Sequence, residues 1–335
     1  MRKVSTVLLT FFCIAIPTLL FFFSLFVGRY DLGPIEVLQM LFHPTEEMKT
    51  TIEYSLIWDV RIPRSLLALL IGGALAISGG ALQGIFRNPL VDSGMLGVSN
   101  GAAFGACLGI LLTESMMTSY VLAFTFGIAA VLISVLIAKI YNDAQTVTLI
   151  LGGTIVSAVF SALISFVKYI ADPLEKLPTI TFWLMGSMAS ANYRDIKIAL
   201  VPISIGVIGI LALRWRINVL SLGDKEATTL GVNTQVCRLM IIFSATLATA
   251  GAVCVSGTIG WIGLIIPHIV RMIVGNDNRR LLPVCISLGG CFMLLVDLLA
   301  KSISSAELPL GVITAIIGGP FFVAILFRTK GDGSW

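Results

Sequence analysis

Charged residues are scarce in this sequence. Only 12% of its 335 residues are Asp, Glu, Lys or Arg, and 57% are hydrophobic, whereas soluble domains carry roughly 25% charged residues. A soluble protein of this length needs a charged surface to meet water, and too few charges are present to make one. The composition therefore excludes a soluble globular protein and predicts an all-α integral membrane protein with lipid around most of its surface.

Residues that bind metals or form disulfides are also few. His43 and His268 are the two histidines, and no CxxC pair occurs among the six cysteines. Neither a zinc site nor a disulfide framework is indicated, so we expect no metal site and no cofactor in this chain. The cysteines fall in or at the ends of apolar runs, where we expect them to be small buried side chains: Cys13, Cys107, Cys237, Cys254, Cys285 and Cys291.

Catalytic motifs are missing as well. No GxxxxGK[ST] sequence is present, so any ATP and Mg²⁺ must be bound by a partner. An intramembrane enzyme, such as a lipid phosphatase or a protease, would need paired carboxylates, an HExxH sequence or a Ser with a His at membrane depth. None of these constellations occurs, and the chain is predicted not to be an enzyme.

Long hydrophobic runs, in contrast, are abundant. About 20 apolar residues cross the hydrocarbon core as a helix, and polar turns separate successive crossings. The first run follows a basic start but has no cleavage site after it, so we interpret it as a retained helix rather than a signal peptide. The sequence predicts one transmembrane domain over residues 1–335 with about ten helices, near residues 4–27, 62–85, 94–112, 119–139, 147–170, 196–213, 236–256, 262–275, 281–300 and 309–327.

The connections between these runs predict an orientation. With the N-terminus inside, 13 Lys and Arg side chains lie on the cytoplasmic side and nine on the other. We therefore expect a multi-pass membrane protein with both termini in the cytoplasm. The longer outer loops would be 28–61 and 171–195, the second with a short surface helix in TITFWLMGSM, and the longest inner loop would be 214–235.

Two motifs place polar residues next to predicted membrane spans. In FRNPLVDSGMLGVSNGAAFG, a turn at Pro89 precedes four glycines spaced four apart, a spacing that places them on one helix face and predicts close helix packing: Gly97, Gly101, Gly105 and Gly109. In WDVRIPRS, Arg61 and Arg64 lie three apart at the outer end of a span. They are suited to binding carboxylates, and the alternative is that they anchor the helix at the interface.

Other polar residues inside the spans have simpler interpretations. Asp297, near the outer boundary, is the only acidic residue placed within a span, and we expect an intrahelical pair with Lys301 four residues on. His268 and Arg271 lie three apart near the inner end of the eighth span, where they would brace the inner loop.

The order of several motifs resembles a known family. RIPR, LQGIFRNPL, LGVSNGAAFG, FWLMGS, LGDKEATTLGV, GWIGLIIPHIVR and AELPLGVITAIIGGPFF, in this order across residues 61–322, resemble the permeases of ABC importers for iron siderophores, haem and cobalamin. The resemblance implies the fold of a type II importer permease, a homodimer and a translocation path along its axis. It also implies two ATP-binding-cassette subunits, a periplasmic binding protein and lipid as partners, and no nucleic acid.

The resemblance also implies roles for individual residues. Arg61 and Arg64 match arginines that meet glutamates of the binding protein, and Lys301 takes the place of an Arg found in some relatives. A gate is implied at Gln145, Thr146 and Val147. Residues 218–233 match two short helices seated on the ATPase, with an apolar surface for its cleft, and the matching positions are Asn218, Leu220, Leu222, Gly223, Asp224, Glu226, Ala227, Leu230, Gly231 and Val232.

Two kinds of transporter remain in competition at this point. An ATP-driven importer working by alternating access fits the missing nucleotide motif. A secondary transporter driven by protons or sodium would need ionisable groups near the bilayer midplane, and Asp297 alone gives little support for it. The sequence favours the importer and leaves its cargo open, because siderophore, haem, cobalamin and some oxyanion importers share this scaffold.

Overall fold

A computed structural model describes residues 6–140, 146–303 and 307–329. The regular structure of these residues is helical throughout, which confirms the predicted all-α class. The helices are α1 (Thr6–Phe26), α2 (Pro34–Phe42), α3 (Ile52–Ser55), α4 (Ile62–Phe86), α5 (Val98–Leu112), α6 (Met116–Ile140), α7 (Thr146–Ile170), α8 (Lys176–Leu184), α9 (Tyr193–Leu222), α10 (Asp224–Thr229), α11 (Thr234–Ser256), α12 (Ile262–Val274), α13 (Asn278–Ser302) and α14 (Leu310–Thr329).

Ten of these helices have the composition of membrane spans. In the part of the chain that the structure describes, seven segments are long and apolar enough to cross a bilayer, and α5, α12 and α14 are shorter apolar helices. Together they match the ten predicted runs. Because α12 has only 13 residues, at 1.5 Å per residue it is shorter than the hydrocarbon core is thick.

The connections gather at two opposite ends of the bundle. One end, here called the α2 end, contains residues 27–61, 171–192 and 307–309, and the Tyr193 hydroxyl donates to the Trp58 carbonyl across it at 2.7 Å. The other, called the α10 end, contains residues 87–97, 223–233 and 275–277. There the Ser221 hydroxyl donates to the carbonyl of Gly84 at 3.0 Å, joining the last turns of α9 and α4.

The core of the bundle is α4. An 18-residue window of the Ile52–Phe86 segment is 83% buried, more than that of any other long span among the described residues. Its glycines let neighbouring helices approach closely, since a Cβ at Gly72 would overlap the carbonyl of Gly289 in α13 and one at Gly79 would overlap that of Gly263 in α12. This helix therefore holds α12 and α13 by backbone contact.

Three of the four glycines predicted to form a stripe lie in α5. A Cβ at Gly101, Gly105 or Gly109 would collide with the backbone of α6. Gly97, however, lies before the helix with a φ of +89°, so its inclusion in the stripe was wrong. The physical reason is local, because the Asp92 side chain accepts a hydrogen bond from the Met95 amide and starts a 3₁₀ turn that closes at Gly97 in the left-handed region.

The predicted inner loop 214–235 is mostly helical. The helix α9 has 30 residues and continues to Leu222, because Ile217 and Leu220 pack into the core and no breaker intervenes before Gly223. Only the six residues of α10 form a separate short helix here, instead of the two that the resemblance implied. The exposed part of this end is accordingly smaller than the sequence predicts.

The short helix α8, predicted to lie at the membrane surface, packs one face against the bundle. Ile180 and Trp183 are buried, and the chain after α8 is hydrogen-bonded to two other segments. The Thr258 hydroxyl donates to the Leu184 carbonyl, and the Leu310 amide donates to the Gly186 carbonyl at 2.9 Å. Residues 184–187 thus connect the α11–α12 junction to the start of α14.

Candidate functional site

A cluster of four ionised side chains lies at the α2 end. The Arg64 guanidinium is held by two carboxylates: its Nε donates to Asp297 Oδ1 at 2.8 Å, and its Nη1 and Nη2 donate to the two oxygens of Glu307 at 2.8 and 3.1 Å. Lys301 Nζ lies 3.9 Å from Asp297 Oδ2. We call Arg64, Asp297, Lys301 and Glu307 the ionic cluster.

Three elements place these groups together. Arg64 is in the first turn of α4, which begins with the sequence IPR. Asp297 and Lys301 lie one turn apart near the end of α13, and Glu307 precedes α14. The cluster contains two cations and two anions, so the high cost of removing each charge from water is offset by an opposite charge.

Arg61 lies beside the ionic cluster but has different partners. Its Nη1 donates to the Leu25 carbonyl and its Nη2 to the Tyr30 carbonyl, both at 2.6 Å. These oxygens lie at and beyond the last turn of α1, where main-chain acceptors lack helical partners. The side chain therefore fastens the end of α1 to the start of α4.

The three basic residues that were predicted to dock a binding protein are buried in the subunit, and their docking role stays a prediction. Arg61, Arg64 and Lys301 are only 5%, 6% and 8% exposed, and each has partners inside the subunit. The expected intrahelical Asp297–Lys301 pair is also secondary, because its 3.9 Å separation exceeds the 2.8 Å contact of Asp297 with Arg64. Sequence reasoning missed Glu307, although it stands in the AELP motif just after Lys301.

The α10 segment, residues 218–233, is the exposed feature of the opposite end. Of its apolar residues that were expected to fill an ATPase cleft, three point inward instead, because they attach the segment to the bundle: Leu220, Ala227 and Val232. Leu222 and Leu230 are 63% and 57% exposed and flank α10 on either side. The apolar surface of the segment is thus reduced to two leucines.

Turns and polar contacts fix the shape of this segment. Gly223 and Gly231 have φ values of +133° and +78°, so each ends a helix in a conformation that favours glycine. Asp224 pairs with Arg238 of α11 at 2.8 Å, while the neighbouring Glu226 is exposed. Such contacts hold α10 in one orientation against α11.

Asn218 joins α9 to the start of α13. Its amide donates to Asp277 Oδ1 at 2.6 Å, and its carbonyl oxygen accepts from the Asn278 amide nitrogen at 2.8 Å. The Arg279 side chain, together with Asn218, lowers the pKa of Asp277 from 3.8 to about 2. The residue expected to contact an ATPase therefore braces the helix that also carries Asp297.

The positions implied as a gate fall at the start of α7. Gln145 lies outside the described residues, Thr146 is the first residue of the helix, and Val147 is 64% exposed. The gate stays a prediction. The expected bracing of the inner loop by Arg271 is replaced by a contact with α4, since Arg271 Nη1 donates to Gln83 Oε1 at 2.5 Å.

Comparison with known proteins gives one consistent family. The chain is 42% identical over 311 residues to a molybdate import system permease protein of Haemophilus influenzae, covering 92% of each chain. It is 42% identical over 276 residues to a probable iron chelatin transport system permease protein of Helicobacter pylori, covering 82% of this chain and 83% of the relative. A hemin transport system permease protein of Yersinia pestis is 37% identical over 286 residues, 82% of this chain and 84% of the relative.

Solved structures give the same result. An inward-facing metal-chelate type ABC transporter is 40% identical and superimposes with a TM-score of 0.85 over 95% of this chain and 98% of that one. The FecCD transport family model matches residues 15–328. With this match and the relatives above, the ten-span bundle belongs to the FecCD transport family, whose compared members are permease subunits of ABC transporters.

Proposed function

We propose that this chain is the membrane-spanning subunit of an ATP-driven importer that carries a complexed metal, such as an iron siderophore, haem or cobalamin. The single observation behind this proposal is the match to an inward-facing metal-chelate transporter along nearly the whole chain. The relative named for molybdate adds an oxyanion of a metal to the cargo classes to be tested. An ion-driven secondary transporter is not favoured, because Asp297 is neutralised by Arg64 and Lys301.

The energy would come from two ATP-binding-cassette subunits that bind ATP and Mg²⁺ beneath a homodimer of this chain. We place their contact at the α10 segment, on the cytoplasmic side of the inner membrane. Leu222 and Leu230 are large, exposed side chains on a segment that is anchored by Ala227 and Asp224. Because the segment is rigid and ends in a small apolar surface, a movement of the bound ATPase would be passed on to α9 and α11.

Cargo would arrive from a periplasmic binding protein at the α2 end. Arg64, a member of the predicted docking set, has a guanidinium fork that suits a carboxylate, but Glu307 occupies that fork. We propose that a carboxylate of the binding protein replaces Glu307 there and that Arg29, whose side chain is 45% exposed and lies 3.9 Å from Glu307, makes the first contact. Arg61 and Lys301 would hold the site in place during this exchange. The translocation path would then open by alternating access.

Uptake into proteoliposomes tests the main proposal. Full-length chain, ATPase subunits and binding protein would be reconstituted, and labelled ferric siderophore, haem, cobalamin and molybdate offered in turn. We expect accumulation of one cargo only when ATP and Mg²⁺ are supplied on the α10 side. Uptake that needs no ATP and stops when an ionophore is added would contradict the proposal and favour the ion-driven alternative.

Substitution of Leu230 tests the ATPase contact. A buried charge at an interface is costly, so Leu230→Glu should lower the amount of ATPase co-isolated with the chain by roughly tenfold or more. Leu230→Met is the matched control, because it keeps a large apolar side chain at the same exposed position. Equal recovery of the ATPase with both variants would remove Leu230 from the contact.

Docking can be tested by substituting the two more exposed charges of this corner, Arg29 and Glu307. Arg29→Glu should weaken stimulation of ATP hydrolysis by the binding protein, because it reverses an exposed charge. Glu307→Gln should raise the apparent affinity for the binding protein, because it makes the Arg64 fork easier to occupy. If neither substitution changes the stimulation curve, docking does not pass through this corner of the α2 end.

A further inference from the structure

A cavity of about 530 Å³ opens at the α10 end. It lies between the last turn of α4, the ends of α9 and α12 and the start of α13. Neither the ionic cluster nor the exposed leucines of the α10 segment line it. Its lining residues are Gln83, Gly84, Arg87, Asn88, Pro89, Ser221, His268, Arg271, Met272, Asn276 and Asn278.

The lining has a single chemical character. Its ionised side chains are Arg87 and Arg271, with His268 one turn before Arg271, and most of the others carry an amide or a hydroxyl. No Asp or Glu is among the described residues that line it. Arg271 is half-buried, whereas Arg87 is exposed and has the Glu226 carboxylate nearby, so Arg271 in particular attracts an anion from outside the protein.

Arg271 shows how the site is built. Gln83 is only 2% exposed, and its Nε2 donates to the Gly263 carbonyl at 3.0 Å, so its Oε1 is turned toward Arg271. That oxygen accepts from Arg271 Nη1 at 2.5 Å. Among the described residues, no carboxylate oxygen lies within 4.0 Å of the Arg271 nitrogens. The amide of Gln83 positions the guanidinium but leaves its positive charge uncompensated.

The second cation is held by the backbone. Arg87 ends α4 in the left-handed region with a φ of 51°, a conformation that turns the chain toward Pro89. Asn88 Oδ1 accepts from the Leu90 amide at 2.9 Å, which leaves its NH₂ group as a donor at the cavity wall. Two arginines and an asparagine in the lining of one cavity suit the oxygens of a tetrahedral anion, which guanidinium binds with paired hydrogen bonds.

We propose that this cavity binds an oxyanion of the phosphate class, with Arg87 and Arg271 as its charged ligands and Asn88 and His268 as neutral donors. The volume exceeds that of one inorganic phosphate, so the same chemistry also accommodates the phosphodiester headgroup of an anionic lipid. Binding would fasten the end of α4 to α12. The inference does not depend on the proposed transport function.

The test compares two sources of the anion for the full-length chain. In neutral detergent, Tm is measured as sodium phosphate replaces sodium chloride at constant ionic strength. In nanodiscs, Tm is measured in phosphatidylcholine alone and with added phosphatidylglycerol. We expect a saturable rise in Tm of about 2 °C or more with phosphate, with phosphatidylglycerol, or with both. A rise with phosphate identifies a free oxyanion, and a rise with the lipid alone identifies the headgroup.

Substitutions assign the effect to the cavity. Arg87→Gln and Arg271→Gln should each abolish most of the rise, whereas Arg216→Gln should keep it, because Arg216 is exposed at the same end and does not line the cavity. Should Arg271→Gln fold poorly, the exposed Arg87 still provides the test. No rise with either probe, or an equal rise in Arg87→Gln and Arg216→Gln, would overturn the proposal.

Discussion

Basic side chains are withdrawn from water at both ends of this bundle, but they are balanced in different ways. At the α2 end, Arg64 and Lys301 are matched by Asp297 and Glu307 within the same chain. At the α10 end, Arg238 is matched by Asp224, but among the described residues the half-buried Arg271 has only the neutral amide of Gln83 as a hydrogen-bond partner. A charge withdrawn from water needs compensation in either case, so the first end supplies its own counter-ions, whereas Arg271 leaves a place for one from outside.

The same difference bears on which basic residues can bind a partner and which only stabilise the fold. The ionic cluster ties α4 to α13 and to the chain before α14, and its groups are occupied within the subunit. It can receive a partner only by exchanging Glu307. The cavity at the α10 end can receive an anion without breaking any ion pair of the described residues. The position of a basic residue at a membrane boundary is therefore not enough to assign it a docking role.

The largest predicted effect is that of breaking the compensated end. Asp297→Ala removes the anion between Arg64 and Lys301, and the fully buried Asp297 has no solvent to replace it. Removing one partner of a buried ion pair typically costs about 3–5 kcal/mol, so we expect a loss of this size in the free energy of unfolding. Equilibrium unfolding in mixed micelles measures it.

A matched comparison within the same cluster sharpens this prediction. Glu307 has a side chain that is 20% exposed, so Glu307→Gln leaves Arg64 with both Asp297 and access to water. We expect a clearly smaller loss of stability from Glu307→Gln than from Asp297→Ala. Equal losses would mean that Glu307, rather than Asp297, is the main counter-ion.

An intermediate effect is predicted for the uncompensated end. Arg271→Gln removes a cation without leaving an unpaired carboxylate, and the contact that is lost is one hydrogen bond to Gln83. A hydrogen bond to a charged group contributes about 1.5–3 kcal/mol, so the loss of unfolding free energy should lie in that range and below that of Asp297→Ala. The same unfolding experiment, without phosphate and in a neutral detergent, measures it. A loss as large as that of Asp297→Ala would contradict the contrast between the ends.

The smallest predicted effect is a pH dependence at the α10 end. Arg279 and Asn218 lower the pKa of Asp277 from 3.8 to about 2, so the folded chain holds this carboxylate in its ionised form. Its contribution to stability is complete above the ordinary pKa and is lost as the pH falls from about 4 to about 2. Because the Asp277 side chain is 35% exposed, solvent screening keeps the effect small.

Thermal unfolding between pH 6 and the lowest pH that the detergent tolerates checks this prediction. The pH is changed in steps of about one unit through the titration range. The difference in Tm between native chain and Asp277→Asn should be greatest above pH 4, which is about the ordinary pKa, and should shrink below it. A difference that stays constant or grows on acidification would contradict the lowered pKa.

Local sequence accounts for a large part of what was predicted correctly. The apolar runs predicted ten spans, and the motifs between residues 61 and 322 predicted the family. Both succeed because membrane crossing depends on the hydropathy of about 20 neighbouring residues, a property that needs no knowledge of the rest of the chain. The glycine spacing in α5 also depends only on helix periodicity, and it failed only at Gly97, where the cap of the preceding turn intervened.

Several residues that were predicted to contact partners are buried, and local sequence could not show this. Leu220, Ala227 and Val232 have the composition of a docking surface, but they fill space against the bundle. Arg64 is chemically suited to bind a carboxylate of a partner, but its guanidinium is already bonded to Glu307, 243 residues away in the sequence. Exposure is decided by which distant segment packs over a side chain, and spacing along the sequence does not contain that information.

The sequence by itself determined that this protein has about ten apolar spans, contains no GxxxxGK[ST] sequence and belongs to a permease family. Tertiary structure alone decided which basic groups are neutralised and which face a cavity. The reason is that hydropathy acts on each segment separately, whereas the energy of a buried charge depends on the few ångströms between it and its nearest counter-ion. For Arg64 that distance is 2.8 Å to Asp297, and for Arg271 the described residues supply no carboxylate within 4.0 Å.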